Sequence, residues 1–468
     1  MMKRYCLLLL VLCVLLTTSG CGSGSGAAAD SETPVPAAAT EEPAPASPVP
    51  EASPEPELSK RQRDWNTDLN YLKTHYKLYH IDPFYYCSEE EFDFKIDQLA
   101  AKVEKLSDND IAFEIAAIIA GMGDIHTSVT LPDSVFETLF PIRPAYFGDK
   151  LYLAAYLKGY EQFEPYLMQE IVAVNGVDIT YLQKKYESFL NPNNIWHARE
   201  WFWRYYSSCP AFYDWAGCDY IEGYTFQILN ENGEVESVEV PVLLWDELDE
   251  NTSWVLHEGL YALHYLEEGN WTEYFEEENG DYIYMSFTEM LSLNKARYQE
   301  LFEATAGLIE AHPDCDKLVI DLRSHPGGQS TVFDYILEYA DLLKAPSIRQ
   351  TYVLIGGYTM SGAIGCIDIF KDELNAITVG EPTGQFTSFF AFRGWGQGVQ
   401  VVLPISQIVI MVSNRWAEGA NPENEFYDEN GRLYEWENTI LPDVFVSQDI
   451  EDIRQGKDSV IRWILEQG

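Results

Sequence analysis

Apolar residues recur every three or four positions from Ser59 to about Gly121, through LNYLKTHYKLYH and FDFKIDQLAAKVEKL, and this spacing predicts a set of amphipathic helices. The texture then changes. Between roughly Pro141 and Leu244, short β-like runs such as KLYLAAYL, EIVAVNGVDI, YTFQIL and VESVEVPVLL alternate with Gly, Asn and charged turns. An aromatic, helical insert from Pro192 to Tyr213 interrupts them. From Asp281 onward the period switches back and forth: YIYMSF, KLVIDL, TYVLIG and AITVG read as strands. SLNKARYQELFEATAGLIEAH, STVFDYILEYADLLK and SGAIGCIDIFKDEL read as the helices between them. Nearly continuous apolar strands joined by helices predict an α/β layer around a buried sheet. VQVVLP and QIVIMVS are expected as strands added at its edge.

Composition supports a globular body, with 46% apolar residues in 468. Asp and Glu number 75 against 30 Lys and Arg, a formal net charge of -45, which repels nucleic acid and anionic membrane surfaces and argues against nucleic acid as a partner. The first residues, MMKRYCLLLLVLCVLLTTSGC, have a basic start, a short apolar run and small residues before Cys21, the pattern of an export signal. Thr18 to Cys21 resembles a bacterial lipobox, which implies lipidation at Cys21; simple secretion is the alternative. Residues 22–58 are rich in Gly, Ser, Ala, Pro and Glu and cannot bury a core, so they are expected to form a disordered tether. No CxxC or HExxH spacing occurs, so neither a metal site nor a cofactor is expected. Cys209 and Cys218 are near enough in sequence to pair in an oxidising compartment.

Two glycine-rich breaks come after strands of the α/β layer, where ligands gather in such folds. In LVIDLRSHPGGQS, Gly327 and Gly328 can turn backbone amides into a cleft, a property that suits an oxyanion hole. In VLIGGYTMSGAIG, Ser361 heads a helix beside the amide of Gly362, where a hydroxyl is either a nucleophile or an ordinary cap. A nucleophilic serine needs a base. Lys371 lies ten residues into the same helix, about 15 Å away at 1.5 Å per residue. Histidine is the other solution, and His126 stands out in the abrupt turn GMGDIHTSV. Ser292 to Lys295 matches SxxK of penicillin-binding proteins, but no SDN or KTG comes after it, and GxSxG is missing too.

LVIDLRSHPGG resembles the strand-and-glycine motif of the tail-specific, or C-terminal-processing, serine peptidases, and GDIHT resembles the motif that precedes their small domain. TMSGAI stands at the nucleophile position, GEPTG lies beyond it at Gly380 to Gly384, and NTILPDVFV is similar to the closing motif. EIVAVNGVDI looks like half of a PDZ-like domain. These motifs keep the family's order across about two thirds of the chain, Gly123 to Val446. The lysine of the family's serine-lysine branch is missing at Gly384-Gln385-Phe386, so the resemblance points to the tricorn-core-like branch, in which histidine is the base.

The resemblance implies Ser361 as nucleophile, His126 as general base and acid, and an oxyanion hole from Gly327 or Gly328 with Gly362. It also implies an orienting carboxylate, for which Glu437 comes first, with Glu418 and Glu435 behind it. His325 stands where the family usually has Asn. The implied architecture is a ClpP/crotonase-like α/β protease core with an N-terminal helical region and a PDZ-like β-rich domain. Its parts are a lipoprotein signal (1–21), the linker (22–58), the helical region ending in GDIHT (59–135), the PDZ-like domain with its insert (136–250) and the core (251–468). The implied function is an exported, membrane-tethered serine endopeptidase acting on polypeptide. The alternative is an inactive protease-fold protein that binds peptide or glycan, which the 14% aromatic content and NIWHAREWFWRYY could serve. With His126 as base, activity should fall below its pKa, near about 6.5 when unperturbed.

Overall fold

The computed structural model describes residues 58–467, apart from 193, 219–222, 231, 250–251, 267–268, 291–293, 385–388, 391–398 and 417–439. All but the first two of these residues fall in one unit, Lys60–Gly468. Three helices open it: α1 (Lys60–Tyr79), α2 (Glu89–Ala100) and α3 (Asp108–Ala120). Serines set the starts of two of them. Ser88 accepts from the amide of Glu91, and Ser107 forms a reciprocal capping box with Asp110. The apolar stripe of α1, with Trp65, Leu69, Leu72 and Tyr76, faces Ile111, Phe113 and Ile115 of α3 in one shared core. A short strand, β1 (Ser128–Thr130), comes directly after the turn that carries His126.

The β-rich region holds β2 (Ile142–Phe147), β3 (Lys150–Leu157), β4 (Glu170–Val174), β5 (Tyr224–Leu229), β6 (Val235–Val240) and β7 (Trp254–Leu256). They pair antiparallel in the order β7-β3-β4-β5-β6, with β2 also on β3. This sheet takes in Trp254–Leu256, a few residues past the limit of 250 read from the sequence. Between β4 and β5 the chain makes α4 (Ile179–Leu190), α5 (Ile195–Trp201), a π-helical turn (Phe202–Tyr206) and α6 (Pro210–Trp215). Cys209 and Cys218 are both buried and are not joined in a disulfide; Cys209 donates to the carbonyl of Val135 at 3.3 Å.

The α/β layer is a six-stranded sheet. Its strands are β8 (Trp271–Glu277), β9 (Gly280–Ser286), β10 (Lys317–Asp321), β11 (Gln350–Ile355) and β12 (Ile377–Gly380), with β15 (Val444–Phe445) at the far edge. All neighbours are parallel except the β8-β9 hairpin. Alternate residues serve the two faces. Ile283, Leu318, Ile320, Val353 and Ile355 pack on α7 (Lys295–Ala311), α8 (Val332–Ala340) and α9 (Gly362–Leu374). Tyr284, Val319, Leu354 and Val379 pack on the other side against Val460, Ile461 and Ile464, carried by the C-terminal helix Ser459–Leu465. Full burial of such a side chain contributes roughly 1.5–3 kcal/mol. Both faces are therefore committed, as the unbroken apolar strands require.

VQVVLP and QIVIMVS do not join this sheet. They form a hairpin, β13 (Gln400–Val402) and β14 (Val409–Met411), that pairs with β1 instead. The reason is their apolar partners: Val401, Leu403, Ile408, Ile410 and Val412 enter the N-terminal helical core. The hairpin thus braces the turn that bears His126.

Candidate active site

Ser361 sits where β11 gives way to α9. Its φ of 53° and ψ of −123° place a non-glycine residue in a sparsely populated region, at a cost of about 1–3 kcal/mol. Its side chain makes no capping bond to its own helix. The hydroxyl instead lies 3.3 Å from Nε2 of His126. The corner is stitched to the preceding loop: Thr359 Oγ1 donates to Leu322 O at 2.8 Å and accepts from Gly356 N at 3.0 Å, while Met360 N donates to His325 O at 3.1 Å.

His126 is held through Asp124. One carboxylate oxygen accepts from the amide of His126 at 3.0 Å, and the other from Thr127 Oγ1 at 2.6 Å and His80 Nε2 at 2.9 Å. The ring of His80 is fixed in turn, because its Nδ1 accepts from Asp82 N at 3.0 Å. Burial alone would raise the pKa of Asp124, but the His80 bond and the nearby His126 charge outweigh it and hold the carboxyl below the usual range. Thr127 Oγ1 also accepts from Ser413 N at 3.0 Å, which ties the turn to the β13-β14 hairpin. Gly123, at φ +83°, lies so near Tyr86 that a Cβ would stand 2.8 Å from its ring. No sequence motif marked His80; it lies 44 positions from Asp124, and only the fold joins them.

The glycine pair meets Ser361 at backbone range. Gly327 has φ +98°, and a Cβ there would stand 2.5 Å from Ser361 Cβ; one on Gly362 would stand 3.0 Å from the amide of Gly328. The three glycine amides are not equivalent. That of Gly327 donates to Nδ1 of His325 at 3.0 Å. Those of Gly328 and Gly362 have no acceptor among the described residues. Behind the loop, Arg323 bridges Asp321 at 2.6 Å and Asp458 at 2.8 Å in a buried cluster, with Tyr284 donating to Asp321 at 2.8 Å. The DLR part of the motif is thus an anchor for the loop.

The aromatic insert supplies a wall. Asn194 Nδ2 donates to Thr383 O at 2.9 Å, Trp196 O would stand 2.3 Å from a Cβ on Gly357, and His197 Cδ2 would stand 3.1 Å from one on Gly384. Tyr205 and Tyr358 share a hydroxyl bond of 3.0 Å, and Arg204 reaches Ser324 Oγ at 3.1 Å. His197 is buried; desolvation first, and then the His126 charge, push its pKa down to about 3. A cavity of about 50 Å³ lies on another side of the insert, between Trp196, Arg199, Glu200, Trp203 and Glu381. Neither Ser361 nor His126 lines it.

Lys371 is engaged elsewhere, 2.8 Å from Asp443, and Lys295 pairs with Glu338 at 2.5 Å on the surface. Glu437, Glu418 and Glu435 lie outside the described residues, as do Gln385, Phe386, Ser292 and Cys21.

No protein-family model matches the sequence, and no curated protein matches it. Among solved structures, mature CPAF complexed with lactacystin is similar to the chain at a TM-score of 0.55 and 12% identity, covering 87% of this chain and 98% of that one. Mature CPAF alone gives 0.52 at 12% identity, covering 87% and 96%. The photosystem II D1 C-terminal processing protease aligns over 86% of this chain and 99% of that one, at 12% identity and a looser TM-score of 0.35. At this identity the likeness is one of fold: the chain has the mixed α/β fold of mature CPAF.

Proposed function

We propose that the chain is a serine endopeptidase that cleaves polypeptide through an acyl-enzyme, in the manner of the tricorn-core-like branch. The observation that carries this reading is the 3.3 Å contact between Ser361 Oγ and His126 Nε2, made across 235 positions of sequence by a serine whose backbone is strained and whose side chain caps nothing. An inactive binder has no use for that contact.

In the proposed reaction Ser361 Oγ attacks the scissile carbonyl carbon while its proton passes to Nε2 of His126. The carbonyl oxygen becomes an oxyanion between the amides of Gly328 and Gly362, at the positive end of α9. The carbon–nitrogen bond then breaks, and the leaving amine takes the proton from His126. Water repeats the sequence in reverse and frees Ser361. A carboxylate orients the ring of His126, with Glu437 the first choice. The β-rich region is assigned a PDZ-like part in capturing chain ends. Residues 22–58 are proposed as a tether from a lipidated Cys21, which would hold the enzyme outside the cytoplasm on a bacterial membrane.

Covalent labelling with a fluorophosphonate, mapped by mass spectrometry, tests the centre of this reading. Wild type should carry the adduct on Ser361, and Ser361→Ala and His126→Ala should not. Folded wild-type protein without an adduct would set the reading aside.

A further inference from the structure

His325 lies at the bend between β10 and the glycine pair, wholly buried against Phe287 at a ring separation of 5.4 Å. Its backbone already joins the two loops of the site, since its amide donates to Leu322 O at 3.0 Å and its carbonyl accepts from Met360 N at 3.1 Å. Its side chain adds a third tie, from Nδ1 to the amide of Gly327 at 3.0 Å. The tie acts on a peptide that is otherwise loose. Gly327 and Gly328 have φ of +98° and +154°, so no side chain limits how their shared peptide turns. An acceptor fixed at the Gly327 amide supplies the missing restraint.

We propose that His325 is a positioning residue, whose neutral imidazole holds the Gly327 amide through Nδ1 and so aims the next amide, that of Gly328, beside the amide of Gly362 to receive the oxyanion. This assignment rests on the reading of Ser361 as nucleophile. Only one tautomer can act so: an accepting Nδ1 puts the proton on Nε2, and Nε2 has no hydrogen-bond partner among the described residues. A buried donor left unpaired is uncommon and marks a place where another demand has prevailed. Here the demand is the acceptor on the opposite side of the ring. Protonation would set two donors against each other, and burial prevents it by pushing the His325 pKa down to about 3. The loop therefore keeps its shape wherever a histidine base can act.

Two substitutions and one spectrum test this. In His325→Asn, Oδ1 can accept from the amide two residues on, as in an ordinary Asx turn. His325→Leu keeps a buried apolar body and removes the acceptor. Fluorophosphonate labelling of Ser361 should slow about tenfold or more in His325→Leu, in the maximal rate and not in the half-saturating probe concentration, and return to within about threefold of wild type in His325→Asn. Labelling of folded His325→Leu at the wild-type rate would overturn the proposal.

If His325→Leu does not fold, ¹⁵N-histidine spectra of the wild type decide. An unprotonated Nδ1 coupled to the Gly327 amide is expected; a protonated Nδ1 would overturn it. Failure of the wild type itself to label would overturn the nucleophile reading and, with it, the assigned purpose of the tie. The spectrum would still report whether the tie exists.

Discussion

Gly327 has no room for a side chain. A methyl group there would need φ near +98° and would stand 2.5 Å from Ser361 Cβ and 2.8 Å from Met360 O, so Gly327→Ala must displace either the serine or its own loop. Labelling of Ser361 should fall by about a hundredfold, the scale of a lost oxyanion donor. The midpoint of chemical unfolding should drop by about 1–3 kcal/mol equivalent; an alanine variant that labels like wild type would contradict the geometry. Asp124→Asn attacks the base side. The amide could still accept from His126 N, but its NH₂ would confront the donor His80 Nε2 and end the bond that Thr127 Oγ1 donates, at an expected cost of about 1–3 kcal/mol. The same carboxylate makes stability depend on acid. Because its folded pKa is depressed, its contribution is complete above the ordinary value of about 3.9 and is lost as pH falls through the lower folded value. Denaturant midpoints should therefore converge for wild type and Asp124→Asn only at the most acid pH. Ser361 and His126 stand out in the sequence because turn-forming glycines lie close to each, and the fold brings their side chains within 3.3 Å. His80 does not, since its meaning arises only when the end of α1 meets the turn after α3.

Elements were legible in proportion to how far local pattern determines their partners. The strands and helices from Gly280 to Gly380 keep the expected alternation because each parallel strand is buried on both faces and its sequence must show it. The β13-β14 hairpin has the same β-branched texture, and nothing in Val401 or Ile410 says which core they enter. The aromatic insert was visible as a helix but not as a wall, for its docking depends on one polar side chain and on bare glycine backbone. Asn194 both caps α5, accepting from His197 N at 3.0 Å, and straps it to Thr383 O. Asn194→Ala should cost about 1–2 kcal/mol as a lost cap. If the strap matters, amide exchange should quicken together in residues 195–206 and 381–384. Faster exchange in 195–206 alone would mean that α5 frays without loosening the site.

At the scale of the whole molecule, two buried histidines set a slope of stability against pH. His197 and His325 are each pushed down to about 3, chiefly by burial, whereas in the unfolded chain they titrate near about 6.5. Between those values the unfolded state binds protons that the folded state refuses, so stability is complete above about 6.5 and declines as pH falls toward 3. Each histidine contributes a slope of about 1.4 kcal/mol per pH unit, and the pair about twice that. Surface charge works in the opposite sense. A net charge of -45 repels itself, and partial protonation of carboxylates relieves the repulsion as pH drops. The two effects separate by salt, because at about 1 M ionic strength the screening length is about 3 Å and exposed charges lose their reach, while buried imidazoles do not. Urea midpoints measured at high salt from pH 7 to pH 4 should fall steadily, and His325→Asn should lessen the slope by up to about 1.4 kcal/mol per pH unit while its Ser361 continues to label. A flat profile would mean that both imidazoles take up protons inside the fold, and the loop at Gly327 would then have to hold its shape without a neutral acceptor.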